Sequence, residues 1–256
     1  MSVADRRPLL LLPPSKGKAA GGEGPPYPDT LNRSTLLGAA RSALLAALLA
    51  DLPGLDDRTI ARLAGVRAAD VPAAREELAR VDRAATMAAH RRYTGIVHGN
   101  AGLATLDLAT VGLDVRIVSG LAGLVGPAEP LPPYRLEFAA SLPSLGGLAT
   151  WWRRQLTDHL AAEVADRRVW DLLPGEHARI WDRDVRAGAD VVDVAFVRPD
   201  GRAANAARTK VCKGRLAAFL LAAPTAEPDD LVREADPGQG WKLAVDGDQV
   251  RATYVG

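Results

Sequence analysis

The chain has 256 residues, 48% of them hydrophobic, enough to bury one large core without disulfides or bound metal. Its formal net charge of +1 gives no global attraction to nucleic acid or to an anionic membrane, so any polyanion site must be a local concentration of charge. The single cysteine, Cys212, rules out an internal disulfide, and His90, His98, His159 and His177 follow no zinc-ligand spacing, so neither a metal nor a cofactor is expected.

No uninterrupted apolar run approaches the ~20 residues of a membrane span, and the leucines at 9–12 are too few for a signal-peptide core; the expected location is the cytoplasm, without membrane contact. Residues 8–12 read as a short strand buried on both faces, and the Gly/Pro-rich stretch 13–28 as a loop leaving its C-terminal end, where binding loops often start. From Asn32 or Ser34, both plausible N-caps, leucines at helical spacing run to a stop at "DLPG".

Next come a short helix over Asp57–Ala64, a turn at Gly65 and a longer helix over 72–90. This arrangement is that of a helix-hairpin-helix, whose tight turn aims backbone N–H groups at a DNA phosphate. Asp56 stands where the usual hairpin has its second glycine, and a plain corner between two core helices accounts for the same residues.

The middle of the chain reads as α+β. "DVRIVSGLAGLVGP" is a buried strand and a glycine-punctuated loop, "PLPPYRLEF" an extended edge segment, and "GGLATWWRRQLTDHLAAEVAD" an amphipathic helix with Leu148, Trp152, Leu156 and Leu160 or His159 on one face. Trp151 and Trp152 belong to that core rather than to a stacking platform. "RRVWDLLP" is another buried strand with Glu176 and His177 just beyond it, and "DVVDVAFVRPDGRAANA" a hairpin turned by "RPDG". "TKVCKGRLAAFLLAA" begins a buried helix with Lys210 and Lys213 in its first turns, and "WKLAVDGDQVRATYV" closes the chain as a hairpin on "DGD". No internal repeat or linker interrupts residues 1–256, so one domain is expected, with a mixed sheet and surrounding helices.

Arginine is abundant and lysine scarce, and four of the five lysines fall in two tight pairs, Lys16 with Lys18 and Lys210 with Lys213. A lysine is a compact ammonium whose pKa falls when buried, which suits phosphate binding, base catalysis or Schiff-base chemistry. Both pairs are placed where a loop leaves a strand or a helix begins, positions already favourable to anions, so they are expected to converge on one anion site with Arg135 as a bidentate grip. Glu137 or Glu176 would hold a lysine or act as a base, and His177 would carry a proton or be an ordinary packed histidine. Arg135 and Glu137 could equally form a structural ion-pair network with the lysines. Cys212 lies between basic residues, yet its helix position reads as core.

The segments "PPSKGK" (13–18), "RYTG" (92–95), "SGL" (119–121), "PPYRLEF" (132–138), "DLLPGEH" (171–177) and "KVCKGRLAAFLL" (210–221), in this order and spacing over essentially the whole chain, resemble the YaaA family of bacterial peroxide stress proteins. The resemblance implies a single α+β domain of unusual fold, a helix-hairpin-helix element, a positively charged cleft and DNA binding in cells defending against hydrogen peroxide and free iron. It places Lys16 or Lys18, Tyr93, Arg135, Glu137, Lys210 and Lys213 around that cleft. Two stretches depart from the family pattern: "SKGK", where the matching lysine stays open between Lys16 and Lys18, and the Pro174–His177 region, where a serine and a tyrosine are usual.

Two functions follow. One is a DNA-binding protein of the peroxide stress response that holds the phosphate backbone of double-stranded DNA without reading bases, which the resemblance favours. The alternative is an enzyme whose Lys/Arg/Glu cleft binds a small anionic substrate, a nucleotide or amino acid, with Lys16, Lys18 or Lys210 among the candidate bases or nucleophiles.

Overall fold

In the computed structural model, which describes residues 6–247 and 249–256, the four leucines Leu9–Leu12 form β1, and all four are wholly buried. An unbroken apolar strand has no solvent face, so it must lie inside a sheet covered on both sides. The chain then passes through a short strand β2 (Gly24–Pro26) to α1 (Leu36–Asp51), which starts where Thr35 accepts the Gly38 N–H at 3.0 Å. The helical stretch Leu36–Gly54 is long and apolar enough by composition to cross a membrane. Here Leu44 and Leu48 pack into the core, and Arg41 donates to the carbonyls of Ala122 and Leu124 and pairs with Glu129 at 2.6 Å.

Helix α2 (Asp57–Ala64) has the bounds expected from sequence: Asp56 caps its start through the Thr59 N–H, and left-handed Gly65 ends it. The N–H groups of Gly65 and Val66 both return to the Ala61 carbonyl. Those donors are used within the turn, so a phosphate-binding hairpin is not established by the α2–Gly65 geometry. The next helix, α3 (Val71–Ala79), stops short of the expected 72–90 span. Residues Ala85–Ala88 instead form β3, paired antiparallel with β2 on one side and with a later two-residue strand on the other. Two short helices follow, α4 (Ala89–Arg92) and α5 (Ile96–Asn100).

Strand β4 (Asp114–Ser119) turns back into β5 (Gly123–Val125), after which β6 (Pro130–Leu131) supplies the second partner of β3. The rest of "PLPPYRLEF" is not a strand; it runs as an irregular wall. A two-residue hairpin, β7 (Ser141–Leu142) with β8 (Gly146–Gly147), leads into α6 (Leu148–Val164). Its buried face carries Leu148, Trp152, Leu156 and Leu160, as the spacing predicts, and the Trp152 indole N–H donates to the Gly120 carbonyl at 2.9 Å.

Strand β9 (Arg168–Asp171) and the short helix α7 (Arg183–Ala187) precede β10 (Asp190–Val197). The expected hairpin after β10 reduces to a single bridge between Val197 and Ala203, because Asn205 caps α8 (Ala206–Ala222) two residues later. A last helix, α9 (Pro228–Glu234), leads to the terminal antiparallel pair β11 (Trp241–Asp246) and β12 (Gln249–Tyr254), as expected.

Seven strands make one mixed sheet in the order β11-β12-β10-β9-β1-β4-β5, with β12, β10, β9, β1 and β4 mutually parallel and the two ends antiparallel. The outcome is the expected single mixed α/β domain of sheet and surrounding helices. After β1 the chain moves toward β4, whereas after β9 it moves toward β10, so the loops at the carboxyl ends of these adjacent strands diverge. Such a switch in direction leaves a crevice at the sheet edge, where ligands of open α/β sheets bind.

Candidate functional site

A cavity of about 430 Å³ occupies that crevice. Its walls are the loop after β1 (13–18), the loop after β9 (Pro174, Glu176, His177), one side of α8 (Thr209, Lys210, Lys213), the start of α5 and the segment 134–138. Lys16, Lys18, Arg135, Lys210 and Lys213 all line it, although nearly two hundred residues separate the lysine pairs in sequence. Chain distance was no obstacle, because α8 packs against α5, whose start borders the first lysine loop, and Lys213 reaches the Leu172 carbonyl just after β9. Gly214 permits this closeness: a Cβ there would overlap Asn100 and the Val97 carbonyl of α5.

The first lysine loop is moulded on the segment 92–95. The Ala19 N–H bonds to the Arg92 carbonyl at 2.8 Å, the Thr94 N–H bonds to the Gly17 carbonyl at 3.0 Å, and Lys18 bridges Tyr93. The Arg92 side chain is wholly buried and reaches four carbonyls: Ala19, Gly21 at 2.7 Å, Leu131 at 3.1 Å and Ala85 at 3.3 Å. Behind the loop, Tyr93 Oη meets Tyr134 Oη at 2.6 Å, and Tyr134 Oη meets Ser119 Oγ at 2.8 Å. Tyr93 is therefore buried behind the cavity and does not line it; it helps fix the ring on which Lys18 rests.

The four lysines divide into two kinds. Lys16 is exposed and paired with Glu137 at 3.0 Å, and Lys210 is exposed. Lys18 and Lys213 are enclosed, and burial lowers the pKa of each to about 8. The Lys18 ammonium lies 4.2 Å from the Tyr134 ring centroid and donates to the Ser15 carbonyl at 2.9 Å. That of Lys213 lies 4.8 Å from the Phe196 centroid and donates to the Leu172 carbonyl. Among the described residues no carboxylate oxygen comes within 4.0 Å of Lys18, Lys210 or Lys213. Each enclosed ammonium has three N–H donors and one hydrogen-bond acceptor.

Arg135 is exposed and joined to Glu77 at 3.0 Å, so its pair is at the rim rather than in a buried network with Glu137. Glu176 is exposed, 3.6 Å from His177 Nδ1. His177 is 7% exposed, and burial together with the neighbouring Lys213 charge lowers its pKa to about 4, so at pH 7 it is neutral. Cys212 faces the core, and burial pushes its thiol up to about 12, which makes it inert.

Sequence reasoning missed His98, Ser15, Thr209 and the role of Arg92. His98 Nε2 lies 2.9 Å from the Pro13 carbonyl and must carry its hydrogen there, since a carbonyl only accepts; Nδ1 is then a buried acceptor. Burial and the Lys18 charge bring its pKa to about 4. Ser15 Oγ, His98 Nδ1, His177 Nδ1 and Thr209 Oγ1 are all buried without a hydrogen-bond partner, and all four residues line this one cavity. An unpaired buried polar group costs ~1–3 kcal/mol, so their concentration marks a surface shaped for a polar ligand. Nothing in the spacing of "PPSKGK" or "RYTGIVH" reports burial, which is why these residues were not legible as site residues.

A second cavity, about 490 Å³, adjoins the first across the Lys16–Glu137 pair and extends to Thr59 and Arg62 of α2. Gly65 lies on both, and a Cβ at this left-handed position would overlap the Glu137 carboxylate.

Comparison with known proteins gives a consistent match. The family model described as Peroxide stress protein YaaA matches residues 9–243, from the first residue of β1 into β11. A UPF0246 protein of Streptomyces coelicolor is 32% identical over 232 residues, covering 88% of this chain and 87% of the relative. UPF0246 proteins of Corynebacterium efficiens and Rhizorhabdus wittichii are 29% identical over 243 residues and 30% over 246 residues. These cover 93% and 87% of this chain, and 94% and 89% of the relatives, respectively.

Proposed function

The chain belongs to the family of peroxide stress protein YaaA, and from that premise we propose that it serves the peroxide response by binding a small anionic ligand in the cavity between β1, β9 and α8, with a lysine amine as the working group. One observation carries this reading: two enclosed ammonium groups without a carboxylate partner share a cavity with four buried polar atoms that have none. A cavity near 430 Å³ suits a ligand up to the size of a mononucleotide. Phosphate or carboxylate oxygens would supply the acceptors that the ammonium groups and hydroxyls lack.

Backbone binding of double-stranded DNA is the second reading. It is favoured by the adjoining cavity, which reaches from Lys16 to Arg62 on α2 and is lined by Glu137 and Glu176 as well. A duplex held there would place a phosphate at the Lys16 rim, and its affinity would fall steeply with salt.

Calorimetric titration with inorganic phosphate, AMP and succinate, beside titration of labelled duplexes of unrelated sequence at two salt concentrations, separates the two. Saturable small-anion binding is expected, and Lys210→Ala and Arg135→Ala should each weaken it about tenfold, the loss of one charge-assisted contact. Thermal stability should barely change, because Lys210 is solvated and an exposed pair such as Arg135–Glu77 contributes ~0–1 kcal/mol. Absence of all small-anion binding together with salt-sensitive duplex binding would replace this reading by the second.

A further inference from the structure

We propose that Lys213 is a carbonyl-reactive amine, and that the ligand class of the cavity is an α-oxo acid or aldehyde-bearing anion that condenses with it to an imine. The inference rests on the anion-site reading above and names the chemistry of that site.

Lys213 is 5% exposed and belongs to the middle of α8, a regular helix, so its amine is held by a rigid element rather than by a loop. The Phe196 ring covers one side of the ammonium, and the Leu172 carbonyl takes one of its hydrogens. The nearby carboxylate that could keep it charged, Asp171, is already used: Oδ1 accepts the Leu173 N–H, and Oδ2 accepts from the Trp181 indole at 2.8 Å and from Arg186 at 2.7 Å. An enclosed amine without its own counter-ion is populated in the neutral, nucleophilic form to a useful degree near neutral pH, and the lowered pKa agrees with this placement. Lys18 differs in degree: two tyrosine rings, Tyr134 at 4.2 Å and Tyr93 at 5.6 Å, face its ammonium and favour its cationic form, where Lys213 has the single Phe196 ring at 4.8 Å.

The partners the reaction needs are adjacent. Lys210, one helical turn before Lys213, is exposed on the same cavity and can take the substrate carboxylate. His177 lines the cavity as a neutral imidazole close enough to feel the Lys213 charge, with Glu176 3.6 Å from its Nδ1. The Lys213 nitrogen attacks the carbonyl carbon and forms the C–N bond; the carbonyl oxygen is protonated and leaves as water. Starting from the ammonium, two of the three nitrogen-bound protons end on the departing oxygen, one of them carried by His177, so the products are a protonated imine and one water. No oxidant or reductant is needed.

The experiment treats the whole protein with glyoxylate or pyruvate and sodium cyanoborohydride, then maps adducts by peptide mass spectrometry, with inorganic phosphate titrated in parallel. The expected result is a reduced adduct at Lys213, formed at least about tenfold faster than at solvent-exposed Lys242, slowed by phosphate and absent from Lys213→Met, whose fold is checked by circular dichroism. Adducts that track exposure, at Lys16, Lys210 and Lys242, or an adduct at Lys18 in place of Lys213, would overturn the assignment. Phosphate binding alongside such a result would leave the anion site standing; loss of both phosphate binding and adduct would remove the two together.

Discussion

Lys213→Met is expected to stabilise the protein at pH 7 by about 2 kcal/mol while removing its carbonyl reactivity. Burial brings the folded-state pKa of Lys213 from 10.5 to about 8, so at pH 7 folding must carry a charge into an enclosed site. That depression corresponds to ~3 kcal/mol of destabilisation, at 1.36 kcal/mol for each pH unit. Methionine has a similar unbranched length without the charge, but it leaves the Leu172 carbonyl short of a donor, which takes back ~1 kcal/mol. Between pH 8 and 10.5 the folded lysine releases its proton while the unfolded chain still holds one, so the unfolded state binds more protons and the stability of the unmodified protein rises with pH. The advantage of Lys213→Met therefore shrinks across that window. Urea unfolding at pH 7 and pH 10 measures it. A destabilised variant, or a difference that does not change with pH, would mean that Lys213 is a structural group in a settled hydrogen-bond network.

Arg92→Met is expected to have the opposite and larger effect, a loss of ~4 kcal/mol. The planar guanidinium joins the carbonyls of Ala19 and Gly21, in the first lysine loop, to those of Ala85 and Leu131 in β3 and β6. Methionine fills part of the volume and satisfies none of these acceptors, and breaking a buried charged hub of this kind costs ~3–5 kcal/mol. Arg92→Lys should recover only part of the loss, because one ammonium cannot reproduce a five-donor fork. Phosphate affinity should fall in both variants although Arg92 does not line the cavity, since the loop carrying Lys16 and Lys18 loses its anchor. Hydrogen exchange at the amides of Ala19 and Thr94, which bond to the Arg92 and Gly17 carbonyls, reads that release directly. Stability within 1 kcal/mol of the unmodified protein, or unchanged exchange at these amides, would show that the loop is held by other contacts.

Much of the fold was legible because its causes are local. Four leucines in a row read as a strand covered on both faces, and Leu9–Leu12 is an interior strand of the sheet, between β9 and β4. The Asp56 cap and Gly65 bound α2, the spacing of Leu148, Trp152, Leu156 and Leu160 selects the buried face of α6, and β11 and β12 pair as the last hairpin, although the last residue of "DGD" lies outside the described residues. The scarcity of lysine likewise marked the cations of the site, since a compact ammonium and a guanidinium are chemically distinct wherever they lie.

The remainder depended on partners far away in the chain. Residues 80–90 carry a helical sequence, yet Ala85–Ala88 became a strand because β2 and β6 present edges to it, and tertiary pairing outweighs the few tenths of a kcal/mol by which helix propensities differ. The strand after β10 was displaced for a similar reason: β12, some fifty residues on, takes the free edge of β10 in parallel. The site follows the same division. Sequence spacing made Lys210 and Lys213 equivalent members of one pair, and Lys16 and Lys18 of another. Packing separated them, leaving Lys16 and Lys210 in solvent and enclosing Lys18 under Tyr134 and Lys213 under Phe196. A residue's type and its neighbours in the chain determine local conformation and formal charge; desolvation, which decides whether a lysine is a solvated cation or a reactive amine, is a property of what the other elements bring over it.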